Sequence, residues 1–218
     1  MKYLISDCDG VLIDSEIIAA RVMVQYLNEF GVPITLNEYL QNCSGKTFSG
    51  LLTSFSREYC FTLPENALQV AEDRHMTIAE KELQVIKGTK DAYKAIPLPK
   101  AVVSNGWHRH IEMAVKFAQM EDMFEGGIFS AVEVVPNPKP APDVYIYAAE
   151  KVGVDPKDVV VIEDSKSGVI SGVAAGMNVI GFTGASHILD GHDEILLELG
   201  AKAVISDMKE LPELVKKL

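Results

Sequence analysis

Short apolar segments that recur along the chain limit its fold more than any other feature. They are YLIS (3–6), AVVS (101–104), GIFSA (127–131), VVVIE (159–163), VIGF (179–182) and AVIS (203–206). Several are rich in β-branched residues and almost continuously apolar, which is typical of strands buried on both faces. Helical patterns lie between them, as in APDVYIYAAEKVG (141–153), which has Pro142 near its start and Gly153 at its end. Strands that alternate with helices predict an α/β fold with a doubly wound parallel sheet.

One region interrupts this alternation. Between about Ser15 and Ile86 only helical periodicity is present, in segments such as SEIIAARVMVQYLNEFG (15–31) and PENALQVAEDRHMTIAEKEL (64–83). We therefore expect residues 15–86 to form an all-helical domain, inserted into a core made of residues 1–14 and 87–218. The alternative is a single domain with a long helical excursion.

Composition excludes several classes of protein. The 218 residues carry a net charge of −11, which argues against nucleic-acid binding because phosphate contacts need clustered Lys and Arg. No apolar run approaches the ~20 residues of a membrane span, and the start Met1-Lys2 does not resemble a signal peptide. Three cysteines without a CxxC pair give no disulfide framework. We expect a cytoplasmic protein, and nothing in the sequence requires more than a monomer.

Two aspartates one residue apart follow the first predicted strand. In an extended strand Asp7 and Asp9 point to the same side. Two negative charges ~4 Å apart repel by roughly 4 kcal/mol at an effective dielectric of ~20. A positive group is therefore expected beside them, and Gly10 would allow a tight turn directly afterwards. Turn residues or a structural cation site are the plainer alternatives.

Polar residues follow other predicted strands as well. Ser104 and Asn105 end the second segment, Glu163 and Asp164 end the run VVVIEDS (159–165), and Lys139 lies in the proline-rich loop PNPKPAPD. Ligands of open parallel sheets bind at the carboxyl ends of the strands, so these side chains are expected to converge there. Taken singly, each has an ordinary reading as a helix cap, a solvated lysine or a helix start.

The charges of this group predict a metal ion. Asp7, Glu163 and Asp164 would bring about three negative charges against one positive charge on Lys139, and a bound phosphate would add more. A divalent cation is then required, and oxygen ligands select Mg²⁺. Glu163 and Asp164 can both reach the ion only if the chain leaves the strand between them.

These residue types suit phosphoryl transfer. Asp7 can attack phosphorus to form an aspartyl-phosphate. Asp9 can protonate the leaving oxygen and then deprotonate the water that hydrolyses the intermediate. Ser104 and the backbone N–H of Asn105 can hold phosphoryl oxygens, and Lys139 can balance the charge on the transferred group.

Four segments resemble the motifs of a known family. DCDGVLIDSE (7–16), SNG (104–106), KPAPD (139–143) and VIEDSKSGVISGVAAGM (161–177) are similar to the four motifs of the haloacid dehalogenase-like hydrolase superfamily. The resemblance is closest to the phosphatase and β-phosphoglucomutase-like branch, and it covers nearly the whole chain. It implies a Rossmann-like core, a mobile helical cap domain inserted after the first motif, dependence on Mg²⁺ and an aspartyl-phosphate intermediate.

The resemblance also assigns roles by position. It makes Asp7 the nucleophile and Asp9 the acid and base, with the backbone carbonyl of Asp9 on the metal. The remaining assignments are phosphate binding by Ser104, Asn105 and Lys139, and completion of the metal site by Glu163 and Asp164.

Departures from the family pattern favour one activity. Dehalogenases lack an acid at the second aspartate, whereas Asp9 is present, and mutases carry a histidine where this chain has Ala19. The prediction is a phosphatase acting on a small phosphate ester, with a sugar or sugar-acid phosphate as the best guess. The alternatives are a phosphosugar mutase and a non-enzymatic phospho-acceptor or metabolite sensor.

Residues outside the motifs receive weaker assignments. The segment CSGKTFSG (43–50) falls where the family places its substrate-specificity loop, so Lys46 is a candidate for contact with the leaving group. A solvated lysine at a helix start is the alternative. Glu16 follows the predicted linker and would face either the cleft or water. His187 and His192 flank ILDG and are predicted to be loop residues.

Overall fold

Two compact units make up the protein. The structure, a computed structural model, describes residues 1–43 and 46–218. The first unit contains residues 1–13 and 85–218, and the second contains residues 14–84. The predicted domain boundaries lie between residues 14 and 15 and between residues 86 and 87.

Strands and helices alternate through the first unit. The strands are β1 (Tyr3–Ser6), β2 (Lys100–Ser104), β3 (Ile128–Ser130), β4 (Val159–Glu163), β5 (Asn178–Phe182) and β6 (Ala203–Ile205). The helices of the second unit are α1 (Glu16–Glu29), α2 (Leu36–Asn42), α3 (Phe48–Glu58) and α4 (Ala67–Glu82). Those of the first unit are α5 (Thr89–Ala95), α6 (His108–Phe117), α7 (Ala131–Val134), α8 (Asp143–Val152), α9 (Lys166–Ala174), α10 (His192–Glu198) and α11 (Leu211–Lys217).

The sheet of the first unit has the doubly wound order. Within the described residues it contains six strands in the order β3-β2-β1-β4-β5-β6, and each neighbouring pair is parallel. The α/β fold predicted from the sequence is confirmed. The order of connection reverses between β1 and β4, and the crevice at such a point is where open α/β sheets bind ligands.

The central strands are buried on both faces, which explains their continuous apolar sequence. Val159, Val160, Val161 and Ile162 have no exposed surface. Helices α8 and α9 pack on one face of the sheet, where Tyr145, Ala148 and Val169 join a single core with the strand residues. These helices and the strands therefore share one continuous core.

Helix ends follow the punctuation in the sequence. Helix α8 begins after Pro142 and is followed by Gly153 at φ +69°, while Gly176 at φ +78° follows α9. Left-handed glycines are the usual helix terminators because they carry no Cβ.

The second unit has its own apolar core. All four of its helices contribute buried residues, including Met23, Leu27, Tyr39, Leu51, Leu52 and Ala71. The rings of Phe30 and Phe61 stack with centroids 4.7 Å apart. Arg74 pairs with Glu29 and lies 4.8 Å from the centroid of the Tyr26 ring. The unit therefore holds a helical hydrophobic core independent of the sheet.

None of the three cysteines is disulfide-bonded. Cys8, Cys43 and Cys60 are free thiols. Across residues 1–43 and 46–218, no helix combines the length and apolar character needed to cross a bilayer.

Candidate active site

Three carboxylates meet at the carboxyl ends of two adjacent strands. Asp7 follows β1, Glu163 ends β4, and the backbone N–H of Asp7 donates to the carbonyl of Ile162 at 3.0 Å. Asp7, Glu163 and Asp164 each place a carboxylate oxygen within 4.8 Å of the others, and all three are buried. Because β4 ends at Glu163, Asp164 is released from the strand alternation and its side chain joins that of its neighbour.

Lys139 supplies the positive charge expected beside Asp7. Its Nζ donates to Asp7 Oδ1 at 2.7 Å, to Glu163 Oε1 at 2.8 Å and to the carbonyl of Val103 at 3.0 Å. The side chain is buried and its ammonium lies 4.9 Å from the centroid of the Tyr145 ring. The lysine therefore connects the nucleophile candidate to the end of β4.

Burial dominates the electrostatics of the site. Desolvation, reinforced by Glu163, raises the pKa of Asp7 well above its usual value. The pKa of Asp164 is raised for the same two reasons. Burial alone would lower the pKa of Lys139, but the carboxylates of Asp7 and Glu163 outweigh it and raise that pKa. One ammonium does not offset three buried carboxyls, so the site favours a further cation.

Glu163 is held by four hydrogen-bond donors. Its Oε1 accepts from Lys139 and from the Tyr145 hydroxyl at 3.2 Å. Its Oε2 accepts from the backbone N–H of Ser165 at 3.0 Å and from the Ser165 hydroxyl at 2.9 Å. The same Ser165 hydroxyl accepts from the N–H of Gly168 and caps α9. The start of α9 and the orientation of Glu163 are thus fixed together.

Gly168 leaves the space that Glu163 occupies. A Cβ at this position would lie 1.6 Å from Glu163 Oε1 and 1.8 Å from its carboxyl carbon. Those atoms cannot move away easily because they are buried and fully hydrogen-bonded. The small residue in this turn of α9 is therefore a requirement of the site.

Ser104 and its loop lie beside Asp9. The Ser104 hydroxyl donates to Asp9 Oδ2 at 3.3 Å and accepts from the N–H of Gly106 at 2.9 Å. The carbonyl of Gly106 in turn accepts from the Ser130 hydroxyl at 2.7 Å. The loop after β2 is therefore tied to β3 and presents Ser104 to the acid and base candidate.

Asn105 fastens this loop to the loop that carries Lys139. Its Nδ2 donates to the carbonyl of Lys139 at 3.1 Å, and the N–H of Lys139 donates to Asn105 Oδ1 at 3.0 Å. Its side chain is thus engaged with the protein backbone. The phosphate-binding role predicted for Asn105 concerns its backbone N–H, which takes no part in these two hydrogen bonds.

Asp164 is enclosed by Gly10 and two histidines. His187 Nε2 lies 3.1 Å from Asp164 Oδ2, and His192 Nε2 lies 2.7 Å from the backbone oxygen of Asp164. Gly10 has φ +79° as the tight turn requires, and a Cβ there would lie 1.8 Å from Asp164 Oδ2. The prediction of a loop residue is wrong for His192, which begins α10.

The donor set suits a hard divalent cation. Carboxylate oxygens are the ligands that Mg²⁺ and Ca²⁺ prefer, and Asp7, Glu163 and Asp164 offer three of them around one point. The raised pKa values of Asp7 and Asp164 indicate the cost of keeping this cluster charged without such an ion.

The sequence matches one protein family over most of its length. Residues 4–182 match the family described as haloacid dehalogenase-like hydrolase. This chain belongs to that family. The resemblance drawn from its motifs is confirmed, and so is the expectation of a phosphatase-type hydrolase.

Relatives of this hydrolase span almost its full length. It is 29% identical over 211 residues to the 6-phosphogluconate phosphatase of Escherichia coli (strain K12), covering 96% of this chain and 92% of that protein. A haloacid dehalogenase-like protein of unknown function from Agrobacterium tumefaciens str. C58 superposes with a TM-score of 0.90 at 36% identity, covering 100% of this chain and 98% of that one. A hydrolase from Deinococcus radiodurans R1, solved with bound phosphate and sodium, gives a TM-score of 0.82 at 30% identity, with 100% and 96% coverage.

The structure of this hydrolase brings together most of the predicted site residues. Those in one cluster are Asp7, Asp9, Ser104, Asn105, Lys139, Glu163 and Asp164. Lys46 and Glu16 belong to the second unit, where Lys46 is exposed and Glu16 begins α1. Ser44 and Gly45, part of the predicted specificity segment, lie outside the described residues.

Five residues of the site were not predicted from the sequence to belong to it. They are Tyr145, Ser165, Gly168, His187 and His192. Ser165 had a usable signal, because a serine directly before a helical segment is a preferred N-cap residue. Contacts of the others depend on how α8, α9 and the segment after β5 pack, which periodicity alone does not specify.

Proposed function

We propose that this hydrolase is a Mg²⁺-dependent phosphatase that cleaves a small phosphorylated sugar or sugar acid through an aspartyl-phosphate on Asp7. The observation that carries the proposal is the position of Asp7 at the reversal point of the sheet, hydrogen-bonded to a buried lysine and beside two further carboxylates. The carbohydrate substrate is supported by the names of relatives, which include a 6-phosphogluconate phosphatase and a hexitol phosphatase.

The metal would be held by Asp7, Glu163, Asp164 and the backbone carbonyl of Asp9. When bound, Mg²⁺ would neutralise negative charge on the phosphoryl group and on the carboxylates around it. A carboxylate has about four lone-pair directions, and four donors already occupy those of Glu163. Ligation by Glu163 would therefore replace one of its present hydrogen bonds.

The proposed reaction has two steps. Asp7 attacks phosphorus, the bond between phosphorus and the ester oxygen breaks, and Asp9 gives its proton to the leaving alcohol. Asp9 then takes a proton from water, whose oxygen attacks phosphorus and releases inorganic phosphate and the Asp7 carboxylate. Lys139 stays hydrogen-bonded to Asp7, while Ser104 and the N–H of Asn105 hold phosphoryl oxygens.

Two substitutions separate these steps with p-nitrophenyl phosphate as the substrate. Asp7→Asn should abolish release of p-nitrophenolate, because no carboxylate remains to attack phosphorus. Asp9→Asn should lower the steady-state rate by ~10²–10⁴-fold and leave an initial burst of p-nitrophenolate, since this leaving group needs little protonation. Stopped-flow absorbance measures both the burst and the steady state.

Exposed Asp122 provides a matched control, and Asp122→Asn should behave as wild type. Substantial turnover by Asp7→Asn would refute the nucleophile assignment. A panel of sugar, polyol, sugar-acid and nucleotide phosphates, assayed with Mg²⁺ and with EDTA, tests the substrate class. Conversion of a sugar 1-phosphate to its 6-phosphate without phosphate release would instead indicate a mutase, and lasting labelling without turnover would indicate a phospho-acceptor.

A further inference from the structure

Two histidines from the segment after β5 converge on a single residue, Asp164. His187 approaches the carboxylate, with Nε2 3.1 Å from Oδ2. His192 approaches the main chain, with Nε2 2.7 Å from the backbone oxygen. His187 and Asp164 are buried, and His192 is partly exposed. One residue is thus contacted at its side chain and at its backbone by rings five positions apart.

The chemistry of these contacts fixes the direction of donation. A carbonyl oxygen only accepts hydrogen bonds, so Nε2 of His192 carries the hydrogen that Asp164 receives. An ionised carboxylate also only accepts, and Nε2 of His187 is therefore the donor whenever Asp164 is charged. Both rings serve as N–H donors to the same residue.

Gly10 closes the third side of Asp164. A Cβ at Gly10 would lie 1.8 Å from Asp164 Oδ2 and 2.9 Å from Cε1 of His187. The carboxylate is therefore packed between the backbone of the turn after β1 and the imidazole of His187. Its orientation is set by the protein before any ion arrives.

Asp164 lies directly after the last residue of β4. Its side chain is therefore not oriented by the regular alternation of the strand, and other groups must hold it. Donors to a metal-binding carboxylate fix its orientation and favour its charged form, and their loss commonly lowers metal affinity 10–100-fold.

We infer that His187 and His192 are positioning residues that hold Asp164 as a ligand for the divalent cation. The inference rests on the proposed function, because it assigns the histidines to the metal site used in that reaction. Neither histidine contacts the substrate in this role, and the motif pattern of the sequence does not include them.

Leucine and glutamine variants of the full-length enzyme test the inference. His187→Leu and His192→Leu remove the donor, whereas His187→Gln and His192→Gln place an amide N–H near the position of Nε2. Titration calorimetry with Mg²⁺ alone should give affinities ~10–100-fold weaker in the leucine variants, largely restored in the glutamine variants. Exposed His110 provides the control His110→Gln, for which the wild-type affinity is expected.

Kinetics with p-nitrophenyl phosphate give an independent readout. The half-saturating Mg²⁺ concentration should rise with the calorimetric constant, while KM for the ester at saturating Mg²⁺ should change little. Circular dichroism and thermal melting check folding. If His187→Leu fails to fold, the variants of the partly exposed His192 still test the inference. Unchanged Mg²⁺ affinity in folded leucine variants, or leucine and glutamine variants equally impaired, would overturn the positioning role.

The two proposals fail in different ways. A wild-type enzyme that hydrolyses no phosphate ester in a Mg²⁺-dependent manner overturns the proposed function and the positioning role with it. An active, Mg²⁺-dependent wild type with normal Mg²⁺ binding in His187→Leu and His192→Leu overturns the positioning role alone.

Discussion

At the level of single residues, the burial of Asp7 favours the reactivity of its carboxylate and lowers the stability of the fold. Burial raises its pKa, and its hydrogen bond to Lys139 only partly compensates for the nearby carboxylates. A carboxylate that is poorly solvated is a better nucleophile than one surrounded by water. The same poor solvation lowers the free energy of unfolding whenever Asp7 is charged and no cation is bound.

This conflict predicts a pH-dependent difference between wild type and Asp7→Asn in EDTA. Because the pKa of Asp7 is raised in the folded state, the folded state binds more protons than the unfolded state above about pH 4. The stabilisation from the proton on Asp7 is complete below the unfolded pKa and is lost as pH rises through the folded pKa. Asp7→Asn cannot lose it, so its stability advantage should grow by up to about 1.4 kcal/mol per pH unit. Denaturant unfolding between about pH 5 and pH 8 measures the difference.

Comparison between variants is needed because other groups titrate in the same range. Burial lowers the pKa of His192. The unfolded histidine therefore binds more protons than the folded one at low pH, and this contribution alone makes stability rise as pH rises through the unfolded pKa. This contribution is common to wild type, Asp7→Asn and the exposed control Asp122→Asn, and it cancels in their differences. A constant difference between wild type and Asp7→Asn across the range would contradict the assignment of a raised pKa to Asp7.

At the level of elements, the start of α9 combines a structural and a chemical task. Ser165 caps the helix by accepting from Gly168 N–H, and it donates to Glu163 Oε2 through the same hydroxyl. The helix start therefore cannot shift without releasing Glu163. Gly168 adds a second link, because the helix backbone approaches Glu163 more closely than any side chain would allow.

Ser165→Ala should consequently lower stability and metal affinity together. Loss of the cap is expected to cost about 1 kcal/mol, or roughly 2–4 °C in Tm for a protein of this size. Loss of the donor to Glu163 should weaken Mg²⁺ binding and raise the half-saturating Mg²⁺ concentration. Thermal melting and Mg²⁺ titration calorimetry measure the two effects.

Thr35 provides a matched control at another helix start. Its hydroxyl caps α2 in a capping box with Glu38, in the second unit. Thr35→Ala should lose a similar amount of stability and keep the wild-type affinity for Mg²⁺. Equal Mg²⁺ affinities in Ser165→Ala and wild type would show that the Ser165 hydroxyl acts only as a cap.

The elements differ in how well the sequence predicts them. All six strands were predictable because each is a short apolar run, and Pro142 and Gly153 marked the ends of α8. Tyr145 was predictable only as an apolar helix position. Its hydroxyl reaches Glu163 because α8 packs against the sheet, and that register depends on tertiary contacts that periodicity does not contain.

The residues of the site also differ in how well the sequence predicts them. Asp7 and Glu163 were predictable because one follows β1 and the other ends β4, and a doubly wound sheet places these strands side by side. His187 and His192 gave no signal, because their contacts with Asp164 depend on the path of the segment after β5. Residues at the ends of the strands are therefore easier to predict from the sequence than the residues that hold them in place.

At the level of the whole molecule, the predicted site residues are divided unequally between the two units. Residues 1–13 and 85–218 contain the predicted nucleophile, the acid and base, the phosphate-binding residues and the metal ligands. In the proposed reaction those groups interact with the phosphoryl group, which is the same in every substrate. Discrimination among leaving groups therefore requires other residues, and residues 14–84 form a separate helical core on which such residues can vary.

Substitutions of Lys46 and Glu16 test whether residues 14–84 discriminate among leaving groups. Both belong to residues 14–84. The ammonium of Lys46 would bind a hydroxyl-rich or anionic leaving group, whereas the carboxylate of Glu16 would accept only from hydroxyl groups. A hydrogen bond to a charged group contributes about 1.5–3 kcal/mol, so Lys46→Ala should lower kcat/KM for the preferred substrate by ~10–100-fold. Turnover of p-nitrophenyl phosphate should fall far less, because its leaving group offers no comparable partner. The substrate panel assayed as kcat/KM for each ester measures the change in ranking, with Glu16→Ala assayed alongside.

Controls for this test come from the same unit. Lys81 and Glu80 are exposed on α4, and Lys81→Ala and Glu80→Ala remove equal charges there. If net charge alone steered the anionic substrates, Lys81→Ala would reduce kcat/KM as much as Lys46→Ala, and added salt would reduce both. A direct contact predicts that only Lys46→Ala alters the ranking and that the effect persists at high salt. An unchanged ranking in Lys46→Ala and Glu16→Ala would place substrate discrimination elsewhere in the chain.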